Sequence, residues 1–323
     1  MVQTLTYNLY PELDTFEQSS INVDDLHHVY YEVCGNPDGA PVVFLHGGPG
    51  SGCNPAQRRF FDPNHYRIIL IDQRGCGRSR PQGCVENNTT ADLVNDIDVI
   101  RQMLGIKKWL VFGGSWGSTL ALAYAIRYSS HVSGLILRGV FLSRPSELNW
   151  FLGEVKAFFP EHWQTLCEFL PEDKRNNVLQ SYAERIFSAD TNISIPAAIR
   201  WNAFESSIMT LLPRVAGPSQ TDGETELARA KVQIHYIQNH CFIDDFNLLE
   251  NAAACLGHIP TVIVQGRYDM VCPPTSAWEL HRAMPHAEFY MIEDAGHSAM
   301  ETGTTSALVG ATEKFKKLVT MSV

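Results

Sequence analysis

The stretch WLVFGGSWGSTLALAYA, residues 109–125, constrains the fold more than any other part of the chain. It opens as a continuous apolar run rich in β-branched and aromatic residues. It then passes through Gly113, Gly114, Ser115, Trp116 and Gly117 into an apolar helical pattern. A strand that is apolar on both faces needs cover on both sides, the situation of a parallel sheet layered between helices. Five more runs have the same character: PVVFLHG (41–47), RIILID (67–72), GLILRG (134–139), TVIVQG (261–266) and AEFYMI (287–292). Each is short and bounded by Gly, Pro or Asp, as buried strands are. HHVYYEVCG (27–35) alternates instead, and reads as an antiparallel edge strand near the start of the chain. TTADLVNDIDVIRQMLG (89–105) reads as a helix, with Thr90 as its cap and Gly105 as its stop. The expectation is an α/β protein with a mostly parallel twisted sheet flanked by helices.

The strand rhythm stops between residues 143 and 242. Helical stretches rich in Trp and Phe follow one another there: ELNWFLGEVKAFF, EHWQTLCEFL, RNNVLQSYAERIF, PAAIRWNAFESSIMTLL and LARAKVQIHYIQNHCF. RVAGPSQTDGETE punctuates them as a loop, and strands resume at Thr261. The economical organisation is a core built from residues 1–142 and 243–323, carrying an all-helical insertion over 143–242. A chain of 323 residues is long enough for one such unit.

Residues 113–117 fit G-x-S-x-G between a strand and a helix, the context of a nucleophile elbow. The chain reverses within a few residues, so small neighbours relieve crowding and leave the Ser115 hydroxyl exposed at a helix N-terminus. A glycine-rich turn that only packs helix on strand would share the pattern. A nucleophilic serine also needs a base and donors for the oxyanion. In this architecture the acid and then the histidine follow the serine along the chain. Asp269, just past the strand at 261–266, and His297, in the loop after the last strand, meet that order. Asp294 lies close to His297 and competes for the acidic role, or shapes the loop. FLHGGPGSG (44–52) also follows a strand and matches the glycine-rich loop that donates a backbone N–H to an oxyanion. One donor is assigned to Gly48 and the other to Trp116, with Gly47 able to exchange with Gly48. In DQRGCGRSRP (72–81), Asp72 and Arg74 are expected to pair and brace the loop. Its glycine spacing does not suit a dinucleotide.

Composition narrows the partners. A formal net charge of −10 argues against a nucleic-acid partner. No run of about 18 apolar residues occurs, so no membrane span is expected. No basic region followed by an apolar core opens the chain, so no signal peptide is evident and a cytoplasmic location is expected. The eight cysteines form no C-x-x-C pair and read as free thiols rather than a disulfide framework. No compact Cys/His cluster has zinc-ligand spacing. Oligomeric state is not readable from the sequence.

HGGPG, DQRGCGRS, GGSWGSTLAL, QGRYDMVCP and AGHS, in this order, resemble the proline iminopeptidases of the α/β-hydrolase fold. The resemblance covers most of the predicted sheet region. It implies hydrolytic release of an N-terminal proline from a peptide, through an acyl-enzyme and without metal or cofactor. It also implies that the helical insertion caps the active site. The family carries a Trp-rich segment ending in a glutamate that binds the substrate's amino group, and RWNAFESS puts Glu205 in that role, with Phe where Trp is usual. A second family glutamate lies in an IENHYF-like segment. Set against YIQNHCF (236–242), Gln238 takes the acidic position and Cys241 replaces the aromatic. An amide accepts a hydrogen bond from an ammonium but supplies no charge. Cys272 falls where the family often has a cysteine near the site. Two other readings are an esterase or amidase on the same scaffold with relaxed amine recognition, and a binding protein that has kept the fold.

Overall fold

The computed structural model describes residues 6–213, 222–243 and 247–319. Eight strands form one sheet: β1 (Thr15–Asn22), β2 (His28–Gly35), β3 (Ala40–Leu45), β4 (Tyr66–Asp72), β5 (Trp109–Gly114), β6 (Val132–Arg138), β7 (Thr261–Gly266) and β8 (Glu288–Ile292). Their spatial order is β1-β2-β4-β3-β5-β6-β7-β8. β1–β2 and β2–β4 pair antiparallel, and every other pair is parallel. All six apolar runs are strands, as expected.

Two local expectations need correction. The segment at 27–35 is not the edge, because β1 covers it. β1 reads TFEQSSIN and is mostly solvent-facing, so it carries no apolar periodicity, while β2 is buried along most of its length. The cap of α1 (Thr90–Met103) is Thr89 rather than Thr90: the Asp92 N–H donates to Thr89 Oγ1 at 3.3 Å, and the Thr89 N–H donates to Asp92 Oδ2 at 3.0 Å. This reciprocal box satisfies two of the helix's free amides.

α2 (Trp116–Arg127) follows β5 directly and packs on the sheet. Between β6 and β7 lie α3 (Pro145–Phe151), α4 (Pro160–Glu168), α5 (Val178–Ile186), α6 (Thr191–Ser207), α7 (Gly223–Gln238) and α8 (Leu248–Cys255). α9 (Pro274–Ala283) and α10 (Thr302–Val319) complete the chain. The punctuating loop expected at 214–226 falls largely outside the described residues.

Hydrophobic residues gather into three clusters. Two sandwich the sheet, one around Trp109, Trp116 and Leu120, the other around Phe61, Phe112 and Phe315. The third belongs to the helices between β6 and β7, with Tyr182, Trp201 and Phe204 at its centre. A separate apolar core explains how these helices hold their shape above the strand ends. Among the described residues, no helix is long and apolar enough to cross a membrane.

Candidate active site

Ser115 stands between the end of β5 and the first turn of α2, with φ 60° and ψ −131°. A non-glycine residue pays for such a backbone, and the cost persists only where the surroundings enforce it. Here they do. The Ser115 N–H donates to Arg138 O of β6 at 2.8 Å, and the Ser115 carbonyl accepts from Ser118 N at 2.8 Å and from Ser118 Oγ at 2.7 Å. At Gly117 a Cβ would lie 2.1 Å from Leu45 O, so only glycine lets α2 approach β3 this closely.

Asp269 and His297 lie beyond the ends of β7 and β8, as expected. His297 Nδ1 is 2.7 Å from Asp269 Oδ2, and both residues are buried. The Val271 and Cys272 amides donate to Asp269 Oδ1 at 3.0 and 2.8 Å, and Gln265 Nε2 donates to Oδ2 at 3.2 Å. A carboxylate so satisfied is a fixed acceptor, which assigns the Nδ1 proton and leaves Nε2 as an acceptor. Asp294 is exposed and takes no part in this pair.

His297 Nε2 meets Arg138 Nη1 at 3.0 Å, and the same Nη1 donates to the His297 carbonyl at 2.8 Å. Burial pulls the Arg138 guanidinium below the ordinary arginine value, with Asp269 opposing. Among the described residues no hydrogen bond joins Ser115 Oγ to His297; the serine hydroxyl contacts the Cys272 thiol, which burial holds well above its usual range.

The glycine-rich loop after β3 lies against the serine. A Cβ on Gly47 would meet Ser115 Cβ at 3.1 Å. Gly48, with φ +113°, lines the same cavity as Ser115 and Trp116. Gln73 ties the parts together. Its N–H donates to His46 Nε2 at 3.0 Å, its Nε2 to His46 O at 2.9 Å, and its Oε1 accepts from Trp116 Nε1 at 2.8 Å. Burial pushes the His46 imidazole down, which suits its role as a neutral acceptor. Asp72 does not pair with Arg74. It binds Arg78 Nε at 2.7 Å and the Cys53 amide at 2.7 Å, while Arg74 reaches Asp96 at 2.6 Å and Asp24 at 2.7 Å. The side chains of residues 72 and 74 leave the turn in different directions, so adjacency in sequence misleads.

Glu205, near the end of α6, lines the Ser115 cavity and is only 5% exposed. Its Oε2 accepts from Arg229 Nη2 at 2.6 Å and its Oε1 from Gln233 Nε2 at 3.0 Å, both on α7. Gln233 Nε2 also reaches Gly48 O at 3.2 Å, and Gln233 Oε1 accepts from Trp201 Nε1 at 2.6 Å.

Gln238 is not in this cavity. It is exposed, donates to Gln180 Oε1 at 3.2 Å and lines a different cavity. The physical reason is helical phase. Position 233 faces Glu205, and position 238, five residues later, is rotated away by about 140°. The dipeptide His235-Tyr236 was the usable signal. Setting it on the HY of IENHYF puts Gln233, not Gln238, at the acidic position. Arg229 and Arg138 carry no motif of their own, so their part in the site is visible only in three dimensions.

Residues 40–304 match the family model for the α/β hydrolase fold. The chain is 47% identical over 315 residues to a proline iminopeptidase from Arabidopsis thaliana, covering 96% of this chain and 83% of that one. It is 46% identical over 307 residues to a proline iminopeptidase from Neisseria gonorrhoeae, covering 94% and 98%. Among solved structures it is similar to an α/β hydrolase enzyme from a Medee basin deep-sea metagenome library, with TM-score 0.60, 18% identity and coverage of 92% and 97%. It is similar as well to an esterase from Rhodococcus sp. ECU1013, with TM-score 0.60, 18% identity and coverage of 95% and 99%. At those identities the structural likeness concerns the fold alone.

Proposed function

The chain belongs to the α/β-hydrolase fold family and, within it, to the proline iminopeptidases, and from that premise we propose that it releases N-terminal proline from peptides through Ser115, His297 and Asp269. The observation that carries the reading is the cavity that Ser115 shares with Gly48, Trp116, Glu205 and Gln233. A nucleophile, two oxyanion donors and two buried carboxylates thus face one small space, and of the two acids Glu147 is already held by the Leu142 and Arg144 amides and the Ser276 hydroxyl.

In this reading Ser115 Oγ attacks the prolyl carbonyl carbon while its proton passes to His297 Nε2. For that, His297 exchanges its bond with Arg138 for one with Ser115. The oxyanion accepts from the Gly48 and Trp116 N–H groups, with Gly47 leaving room beside the serine. The C–N bond then breaks and His297 returns the proton to the leaving amine. A water attacks the acyl-enzyme, gives its proton to His297, and proline leaves as Ser115 regains its hydrogen. Asp269 holds the imidazole tautomer and offsets its transient charge.

Glu205 is the group for the substrate's secondary ammonium, because a cation in a dry cavity needs a paired charge. Gln233 accepts or donates beside it. No metal or cofactor is part of this scheme, and neither nucleic acid nor membrane is a partner. The helices of 143–242 act as a cap, with residues 1–142 and 243–323 as the catalytic core. A cytoplasmic location fits eight cysteines that all remain free thiols.

The test is a pair of proline anilides, one with a free and one with an acylated nitrogen. Wild-type turnover of the free form alone is expected, and Ser115→Ala should lower it by about 10³-fold or more. Equal rates on both substrates would replace this reading by an esterase or amidase with relaxed amine recognition. No turnover and no labelling by a serine-directed phosphonate would leave a binding protein.

A further inference from the structure

The loop that carries His297 is held from two sides. On the core side, the Tyr268 N–H, directly before Asp269, donates to Ala295 O at 3.0 Å. On the other side lies the segment that follows α6. There Met209 O accepts from the His297 and Ser298 amides at 3.0 and 2.9 Å. The two backbones touch: a Cβ on Gly296 would lie 2.8 Å from Leu211 N. Met209 follows closely on Glu205, and the Ile208 N–H between them donates to Glu205 O at 3.2 Å. The segment that grips the histidine's backbone thus continues the helix that carries the buried acid of the cavity.

One side chain joins the two segments. Glu301 Oε2 accepts from the Gly296 N–H at 2.9 Å, and Oε1 accepts from the Leu211 N–H at 2.9 Å. Glu301 immediately precedes α10, where an acidic side chain is usually drawn to the free amides at the start of its own helix. Here both oxygens go instead to amides of two distant segments. Gly296 is buried, so its N–H needs an acceptor, and a charged acceptor holds it more tightly than a neutral one. In the reading above, the imidazole gives up Arg138 for Ser115 while Nδ1 stays on Asp269. That is a small swing of the ring, and it reaches the serine only if residues 296–298 do not move with it. A misplacement of about 1 Å in such a group costs on the order of 10²-fold in rate.

We propose that Glu301 is a positioning residue for the reaction: by spanning the Gly296 and Leu211 amides, its carboxylate pins the loop of His297 so that the imidazole can swing to Ser115 without leaving Asp269. This rests on His297 acting as the base for Ser115. Glu301 does not line the Ser115 cavity and acts only through the loop. Its contribution lies in kcat and not in the affinity of the amine site, because the Glu205 carboxylate is held separately, by Arg229 and Gln233.

The test uses Glu301→Gln and Glu301→Ala in the full chain. The amide keeps one acceptor oxygen and sets an NH2 group against the other N–H, while alanine keeps neither bond. Titration to completion with a serine-directed phosphonate counts competent sites, so kcat is read per folded active site. On both proline anilide and p-nitrophenyl acetate, kcat per site should fall about three- to tenfold in Glu301→Gln and about tenfold or more in Glu301→Ala. The inhibition constant of free proline, which reads the amine site, should stay within about twofold. An unchanged kcat per site in both variants overturns the proposal, as does an inhibition constant that rises as far as kcat falls. If wild type cleaves the ester but not proline anilide, the aminopeptidase reading is lost and the ester alone decides on Glu301. If wild type cleaves neither, both fall.

Discussion

Glu205 is paired with one guanidinium, that of Arg229, and a neutral Gln233 bridges it to the loop at Gly48. A substrate ammonium therefore competes with Arg229 for one acid. On the proposed reading, Glu205→Gln should raise KM for proline anilide by about tenfold or more and leave a simple ester within about twofold. Arg229 is 27% exposed on its side chain and can hydrate when it loses its partner, so the variant should fold. If ester and anilide turnover fell together, Glu205 would be a packing residue. Gln233→Glu adds the missing charge and should lower KM for the free amine about three- to tenfold at pH 8. Gln238→Glu, on a side chain that faces Gln180, should leave it unchanged. Steady-state kinetics on these two variants separates the two positions directly.

At the scale of the element, the elbow joining β5 to α2 depends on contact between backbones. Gly117→Ala puts a methyl group 2.1 Å from Leu45 O, where nothing flexible can yield. It should destabilise the protein by about 1–3 kcal/mol in denaturant titration, and lower turnover as α2 shifts and carries the Trp116 N–H away from Gly48. An unchanged midpoint with full activity would mean that α2 has more freedom than this packing allows. α7 is the other element with two duties. A single helix supplies Gln233 to the Ser115 cavity, Arg229 to Glu205 and Gln238 to a separate cavity, so its phase decides which residue does what.

Across the whole molecule, paired carboxylates set the response to acid. Burial pushes the Asp98 carboxyl up, but hydrogen bonds from Arg101, Gln102 and His131 outweigh it and hold the group down at about 2. Burial likewise raises Asp24, and the His27 and Leu26 amides with Arg74 bring it to about 2. Both values lie below the unfolded carboxylate value, so the stability they contribute is present above about pH 4. It is lost as pH falls through the folded values toward 2. The thermal midpoint should therefore fall between about pH 4 and pH 2, and Asp98→Asn should flatten that fall while lowering the midpoint at pH 7. An acid limb with the same slope in Asp98→Asn would assign the transition to other groups.

The sheet, its parallel centre and the place of Ser115 at a strand–helix turn were all legible in the sequence. The reason is that buried parallel strands must be continuously apolar, and a tight elbow must be rich in glycine. Asp269 and His297 were legible as loop residues beyond strand ends, where side chains of distant segments converge. β1 was not, because an edge strand facing solvent leaves no apolar period to read. Nor were Arg229 and Arg138, and Gln233 was signalled only by the His235-Tyr236 pair beside it. Their positions depend on the phase of a helix, on the direction a side chain leaves a turn, and on which strand lies beside which. Sequence alone determined the architecture and the residues that face the cleft from the core. Only the tertiary structure decided which side of α7 meets Glu205, because a rotation of about 100° per residue turns a small error of register into a different face.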